Sequence, residues 1–398
     1  MNIRERIIAT LNGQPCDCLP FMPRMDIWYK ANKFNGTLPD RFKNATLREI
    51  TDELGFGYHA INPDFQDYRI ADGDINTGIG IYDLNLTPYI VKLHNVGINV
   101  RREASGKTYV EYDTPKGKIT TCNVYDDRMR AGGATLHVIT EHALKSCDDY
   151  PAMAHILRNA EVIPNYEKLQ TFKDEFMGDR GLTVGLAGVY CSPVHYMLKE
   201  LMSMETFYYE MMDNPDEMEE FSEQIAPFCH KLFDIAAASP ADALLSGSNF
   251  DSYVTAPMMY RDYIMPELQR QSKQLHDMGK YLICHTDGEN TGLLPLFVES
   301  GFDIADSICP APMTKIPLKD IRDAFAGKIS IWGGIPSIST LPDSMSQYDF
   351  EKLIDNMLCS IGRGDHMIVS IADTLPPAAD LNRVMHIAKK VAGFGPIK

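Results

Sequence analysis

From about residue 150 onward, the sequence repeats one pattern in which a short apolar run is followed by a longer amphipathic segment. The runs are typical of buried strands and are GLTVGLAG (181–188), DALLSGS (242–248), YLICH (281–285), DIADSIC (303–309), KISIWGG (328–334) and HMIVSIAD (366–373). The amphipathic segments predict helices across 195–239, 257–279, 291–300, 317–326, 348–361 and 378–391. Strands that alternate with helices in this way form a parallel sheet whose faces are covered by the helices.

Two earlier segments bring the number of predicted strands to eight. LPFMPRM (19–25) and GYHAIN (57–62) are short and largely apolar, as buried strands are. Eight strands with intervening helices predict an α/β fold of the (β/α)8 TIM-barrel type. The alternative is an open doubly wound sheet, but no GxGxxG sequence follows a predicted strand.

The sequence pattern of residues 75–123 differs from that of the rest of the chain. Residues alternate in polarity, β-branched side chains are frequent, and SGK and PKGK are turn sequences. This segment predicts an antiparallel β-meander that elaborates the N-terminal part of the barrel. Because no internal repeat or long linker divides the sequence, we predict one domain over residues 1–398 with the 75–123 meander inserted in it.

Composition and charge exclude several classes of function. The net charge of −16 disfavours nucleic acid and anionic membranes as partners. The longest apolar runs fall far short of the ~18–20 residues that a membrane span requires. The N-terminal MNIRERIIATLNGQP reads as a charged amphipathic helix and not as a signal peptide. Nine scattered cysteines without a CxxC pair fit reduced thiols, so a cytoplasmic protein is expected.

Polar side chains gather at the carboxyl ends of the predicted strands, where the active site of a barrel lies. Imidazole, thiolate and carboxylate groups are the ligands of a catalytic Zn²⁺ that keeps one coordination position open. The candidate metal ligands are His285, Cys309, Asp287 and Asp373. The candidate catalytic residues are Asp251, Asn249, Glu289 and Arg24.

Most of these residues also have a structural explanation. A histidine at a strand end is often satisfied by backbone groups, and Asp287-Gly288 is good turn chemistry. Cys309 alone reads as an inert buried thiol, Asp373 as a helix cap, and Arg24 as an ion-pair residue. The metal interpretation is favoured because three strand ends on one face of the predicted barrel carry potential ligands together.

Four segments resemble the uroporphyrinogen decarboxylase superfamily: RERIIATLNGQPCDCLPFMPR, HTDGENTGLLPLFVESGFDIADSICP, KISIWGGIPS and VSIADTLPPAADLNRV. The resemblance covers most of the chain and is weakest in the meander. It implies a (β/α)8 barrel and one of two activities. One branch of the superfamily contains cofactor-free porphyrinogen decarboxylases, and the other contains zinc-dependent methyltransferases that serve corrinoid proteins.

The resemblance is stronger to the methyltransferase branch, whose coenzyme M enzymes hold zinc with a His-x-Cys motif and a second cysteine after the last strand. Here His285 matches the histidine, while Asp287 and Asp373 stand at the two cysteine positions. Cys309 would then supply a sulfur from the intervening strand. The decarboxylases use an arginine-rich N-terminal segment, whereas PRMDIWYK offers only Arg24.

The HTDGEN sequence resembles the enzymes on the methyl-donor side of this branch, similar to O-demethylase methyltransferase I. Those enzymes move a methyl group from an ether or amine to the Co(I) of a corrinoid protein. The resemblance therefore implies Zn²⁺, a cobalamin carried by a corrinoid partner protein, and a small methylated substrate, with a methoxylated aromatic favoured. The alternatives are a metal-free decarboxylase or other lyase, and a catalytically inactive barrel that binds a corrinoid or a small molecule.

Overall fold

The structure, a computed structural model, describes residues 1–61, 78–82 and 84–397. Its strands are β1 (Tyr89–Leu93), β2 (Gly97–Arg102), β3 (Lys107–Thr114), β4 (Gly117–Val124), β5 (Val138–Glu141), β6 (Ala160–Pro164), β7 (Val184–Gly188), β8 (Ala243–Ser248), β9 (Tyr281–His285), β10 (Ile304–Ile308), β11 (Ser330–Pro336) and β12 (Met367–Ala372). Its α-helices are α1 (Ile3–Leu11), α2 (Asp26–Asn35), α3 (Leu47–Leu54), α4 (Asp127–Ala131), α5 (Tyr150–Arg158), α6 (Tyr166–Thr171), α7 (Pro193–Tyr196), α8 (Met204–Asp213), α9 (Pro215–Ala237), α10 (Pro257–Met259), α11 (Met265–Asp277), α12 (Leu294–Ser300), α13 (Leu318–Phe325), α14 (Gln347–Ser360) and α15 (Leu381–Ala392). Turns of π-helix continue α6, α7 and α10 at Phe172–Met177, Met197–Leu201 and Tyr260–Ile264.

Strands β7 to β12 form one parallel six-stranded sheet in chain order. They correspond to the six apolar runs of the sequence, and at least one helix follows each strand. Strands β7, β8, β10, β11 and β12 are buried along their whole length, because helices cover the outer face and side chains fill the inner face. The predicted alternation of strands and helices is confirmed.

The first predicted strand, 19–25, is not a regular strand. Only Phe21 forms a β-bridge, to Val369 of β12. Two hydrogen bonds hold the segment there, from Met22 N to Val369 O and from Val369 N to Pro20 O, each 2.9 Å long. Pro20 and Pro23 have no amide hydrogen, so a continuous ladder cannot form. The segment still takes the position of a first barrel strand beside β12.

The second predicted strand, 57–62, is also irregular over 57–61, and residue 62 lies outside the described ranges. Gly57 N donates to Phe21 O at 2.9 Å, and Tyr58 N donates to Arg180 O at 3.0 Å. The segment therefore bridges the first segment and the chain just before β7. These two extended segments complete the ring, and the fold is a (β/α)8 barrel whose first two strands are irregular.

Every second side chain of the barrel strands points inward. Val184, Leu245, Ile283, Ile304 and Trp332 belong to one buried inner cluster. Helix α1 adds Ile7 to this cluster and lies across the amino-terminal end of the barrel. The apolar filling leaves the carboxyl ends of the strands as the open side.

The predicted meander differs from the structure in its boundaries and in its partners. Strands β2, β3, β4 and β5 form a four-stranded antiparallel sheet that extends to Glu141, well beyond residue 123. Strand β1 pairs instead with β6, and the turn between β1 and β2 contains Asn95, which has a left-handed φ of 56°. Residues 75–77 and 83 of the predicted segment lie outside the described ranges.

Two further findings concern membrane and redox context. Within the described ranges, no helix combines the length and the apolarity that crossing a bilayer demands. All nine cysteines are free thiols.

Candidate active site

The centre of the site is a histidine and an aspartate on neighbouring strands. His285 ends β9, and Asp306 lies beside it on β10 in direct register. Both continue the inward-facing alternation of Ile283 and Ile304, so their side chains enter the barrel where the apolar filling stops. His285 Nδ1 and Asp306 Oδ2 are 2.6 Å apart.

A second histidine supports the same aspartate. His59 Nε2 lies 3.5 Å from Asp306 Oδ1, and its ring packs edge-on against Trp332. Burial opposes ionisation of Asp306, but hydrogen bonds from His285 and His59 outweigh it and hold the pKa of Asp306 well below its usual value. An ionised Asp306 fixes the proton of His285 on Nδ1 and leaves Nε2 available as a ligand atom.

Asp373, directly after β12, faces His285 from the other side. Its Oδ1 lies 3.5 Å from His285 Nε2, and it accepts hydrogen bonds from Arg24 Nη1 at 2.7 Å and Ser307 Oγ at 2.9 Å. Arg24 also donates through Nε to Asp26 at 3.1 Å. Burial raises the pKa of Asp373, but the charges of Arg24 and His285 outweigh it, so Asp373 is held ionised.

Three potential ligand atoms converge here. One donor atom from each of His285, Asp287 and Asp373 lies within 4.8 Å of the other two. Burial and the charge of Asp373 raise the pKa of Asp287. Burial lowers the pKa of His285, but Asp373 and Asp306 raise it overall. An imidazole nitrogen backed by a carboxylate, with two crowded carboxylates beside it, fits a divalent cation such as Zn²⁺.

The fourth predicted ligand, Cys309, lies beside this cluster and not in it. Its thiol is buried, 4.0 Å from Ala372 O, and is not among the donor atoms that lie within 4.8 Å of one another. Burial, followed by the charges of Asp287 and Asp373, raises the pKa of Cys309 to about 12. Ligation of a metal by Cys309 therefore stays a prediction without geometric support.

Replacing Cys309 with alanine tests this arrangement. Because the three-residue cluster does not include the sulfur, Cys309→Ala is expected to keep close to one equivalent of zinc, whereas Asp373→Asn is expected to lose most of it. Metal analysis of both purified variants measures the difference. If Cys309→Ala loses its zinc while Asp373→Asn keeps it, the Cys309 thiol is a ligand and the three-residue cluster is not the complete site.

Two predicted catalytic carboxylates are engaged by loop backbone. Asp251 accepts hydrogen bonds from the amides of Tyr253 and Glu289, both at 2.8 Å. Glu289 accepts from the amides of Thr291 at 3.0 Å and Lys315 at 2.8 Å. Gly288 permits this close packing, because its φ is +136° and a Cβ there would lie 2.9 Å from Asp251 Cβ. Both carboxylates therefore hold the loops at the open end of the barrel in place, and their predicted catalytic role gains no support.

A cavity of about 340 Å³ opens onto the cluster. Its lining includes the predicted residues Arg24, Asn249, His285 and Asp373. It also includes charged and polar residues that the sequence did not single out as site residues: His59, Tyr82, Lys199, Glu200 and Asp306. The one signal for Asp306 in the sequence is an acidic residue inside the otherwise apolar run DIADSIC.

The π-helical turn after α7 supplies the remaining polar wall. Lys199 and Glu200 are consecutive residues of this turn, and both line the cavity. Tyr82 OH contacts both carboxyl oxygens of Glu200, at 3.0 and 3.1 Å. Burial raises the pKa of Glu200 to about 7, against the opposing effects of Tyr82 and Lys199. Turns of π-helix are frequent at functional sites, since they expose side chains that a regular helix would not.

The sequence profile of the uroporphyrinogen decarboxylase (URO-D) family matches residues 135–394, well over half of the chain. The chain belongs to the URO-D family. In this URO-D family protein the matched region contains all six strands of the parallel sheet, and with them His285, Asp287, Asp306 and Asp373.

Other comparisons add a likeness of fold. A search of curated proteins finds no match to this URO-D family protein. Among solved structures, a methyltransferase from Methanosarcina mazei superposes with a TM-score of 0.53 over 99% of both chains at 13% sequence identity. At that identity the similarity is one of fold.

Proposed function

We propose that this URO-D family protein is a zinc-dependent methyltransferase that moves a methyl group from a small methylated donor to the Co(I) of a separate corrinoid protein. The observation that carries the proposal is the convergence of His285, Asp287 and Asp373 within 4.8 Å at a cavity in the barrel mouth. The Methanosarcina mazei protein of the same fold is a methyltransferase, which supports this choice. A methoxylated aromatic is the favoured donor.

The chemistry of an aryl methyl ether matches this site. The ether is inert because phenolate is a poor leaving group, and Zn²⁺ held here would act as a Lewis acid that stabilises the phenolate as it forms. His285, Asp287 and Asp373 would hold the ion, with Asp306 orienting His285. Arg24 holds Asp373 in place from behind. The Co(I) of the corrinoid partner would supply the electron pair that accepts the methyl group, and the bonding pair of the broken methyl–oxygen bond would stay on the phenolate oxygen.

The charges of the cavity argue against a porphyrinogen decarboxylase. A substrate with many propionates needs several free cations, but the lysine and arginine in the described lining are Lys199 and Arg24. Arg24 is already paired with Asp26 and Asp373. One unpaired cation is too few for a polycarboxylate substrate.

The rim of the barrel mouth offers a surface for the corrinoid partner. Tyr253, Met313 and Ile338 are exposed on the loops after β8, β10 and β11. Lys315 lies over the Tyr253 ring at 5.0 Å, and Ser337 Oγ lies 3.5 Å from the sulfur of Met313. A chain of net charge −16 gains little from overall steering, so a local apolar patch with a lysine is the surface we assign to docking.

The test mixes the zinc-loaded protein, a corrinoid protein reduced to Co(I), and a panel of methyl ethers, amines and thioethers. The expected result is conversion of the Co(I) absorbance to that of methyl-Co(III), with stoichiometric release of the demethylated product. Omitting the protein or the ether gives the background rate.

Two outcomes of these assays would contradict the proposed methyltransferase function and indicate a different one. If no donor of the panel methylates the corrinoid while a porphyrinogen is decarboxylated without zinc, the protein is a decarboxylase. If the corrinoid protein binds but no donor is demethylated, the protein is a binding barrel.

A further inference from the structure

Lys199 lines the cavity and forms no ion pair with any described residue. Its side chain lines the cavity from the π-helical turn at Met197–Leu201 and is only partly exposed. Among the residues that the structure describes, it has no hydrogen bond, ion pair or aromatic contact, and no carboxylate oxygen lies within 4.0 Å of its Nζ. A half-buried ammonium group whose three N–H donors are unused is stabilised when it binds an anion.

Two other charged groups of the described lining already have partners. Asp306 lies between His285 and His59, and Arg24 lies between Asp26 and Asp373. Glu200 forms no ion pair with its neighbour Lys199, because its carboxyl group is hydrogen-bonded to Tyr82 instead. Burial lowers the pKa of Lys199, and the charges of Glu200 and Asp287 oppose that effect without contacting the ammonium group. Lys199 is therefore the cation of the described lining that has no hydrogen-bonded or ion-paired partner, and an anionic group of a ligand can supply one.

We infer that Lys199 binds a carboxylate carried by the substrate and so selects anionic aromatic ethers over neutral ones. The inference rests on the proposed function and deepens it by naming the substrate class. Lys199 and the His285–Asp373 pair line one cavity of about 340 Å³, which has room for a single small ring. A ring whose carboxylate meets Lys199 would be oriented with its methoxy group toward the cluster.

The experiment measures binding and needs neither corrinoid nor turnover. Calorimetric titration of the purified full-length protein at pH 7 compares 4-methoxybenzoate with 4-methoxybenzamide, which has the same shape without the charge. The variants are Lys199→Gln, Lys199→Arg and, as a matched control, Lys168→Gln on the exposed face of α6. Loss of one charge-assisted hydrogen bond is expected to weaken binding about tenfold.

The expected pattern is specific to this residue. The wild-type protein binds the acid about tenfold more tightly than the amide, Lys199→Gln removes that difference, Lys199→Arg restores most of it, and Lys168→Gln changes nothing. Equal affinity of the wild-type protein for acid and amide, or an unchanged acid affinity in Lys199→Gln, would overturn the inference, as would no binding of either ligand.

The two proposals fail in different experiments. Carboxylate binding that depends on Lys199, without methyl transfer from any donor, would retain this inference and reject the proposed reaction. Methyl transfer from neutral ethers that Lys199→Gln leaves unchanged would retain the reaction and reject the inference.

Discussion

Replacing His285 with alanine is expected to reduce bound zinc from about one equivalent to a small fraction of it. His285 is the sole nitrogen donor of the three-residue cluster, and the two donors that remain are carboxylates. Zinc sites depend on three or four protein ligands, and loss of one leaves a weak site. The imidazole is also the group that Asp306 orients at 2.6 Å, so no other side chain of the cluster can replace its Nε2. Metal analysis after zinc loading and desalting measures the loss, and methyl transfer should fall with it.

The control is a histidine of similar chemistry outside the site. His94 is exposed, and its Nε2 lies 2.9 Å from Glu161 Oε2. His94→Ala therefore removes an imidazole and its contact with a carboxylate at a position outside the barrel. That variant should retain the zinc content of the wild type. A full equivalent of zinc in folded His285→Ala would show that the cluster is not the metal site.

The barrel strands were predictable because their signal is local. The β7 to β12 segments are buried on both faces, so each reads as a continuous apolar run between amphipathic helices. The first two segments carry the right residues but not the regular ladder, since Pro20 and Pro23 interrupt hydrogen bonding. The pairing of β1 with β6 joins segments about 70 residues apart, and no local pattern encodes that choice.

The candidate site shows the same division between local and long-range information. His285 ends a strand, Asp287 and Asp373 follow strands, and the barrel rule alone places strand ends at one face. Asp306 was missed because it lies inside a strand, and its role depends on register with His285 on the neighbouring strand. Lys199 lies in a segment with the pattern of an amphipathic helix, where a lysine is expected to face solvent. In the structure it lines the cavity from the π-helical turn at Met197–Leu201.

Replacing Arg24 with methionine is expected to destabilise the fold by about 3–5 kcal/mol. Methionine keeps most of the apolar volume, so the change removes mainly the charge and the hydrogen bonds. Burial lowers the pKa of Arg24, but Asp26 and Asp373 outweigh it and keep the guanidinium charged. Its removal leaves the buried Asp26 without a cation and leaves the partly buried Asp373 with His285 alone, and this uncompensated negative charge is the source of the loss. Chemical denaturation followed by circular dichroism measures the shift.

The matched control is Arg363→Met, because Arg363 forms a solvent-exposed pair with Asp365 at 3.1 Å. An exposed pair of this kind contributes at most about 1 kcal/mol. A free energy of unfolding for Arg24→Met within about 1 kcal/mol of the wild-type value would show that the buried network does not depend on its cation.

The double variant Arg24→Met/Asp373→Asn should recover part of the lost stability, since one of the two carboxylate charges that lose Arg24 is then absent. Saturating zinc should also recover part of it in Arg24→Met alone, because an ion bound at Asp373 supplies a replacement positive charge and binds only the folded protein.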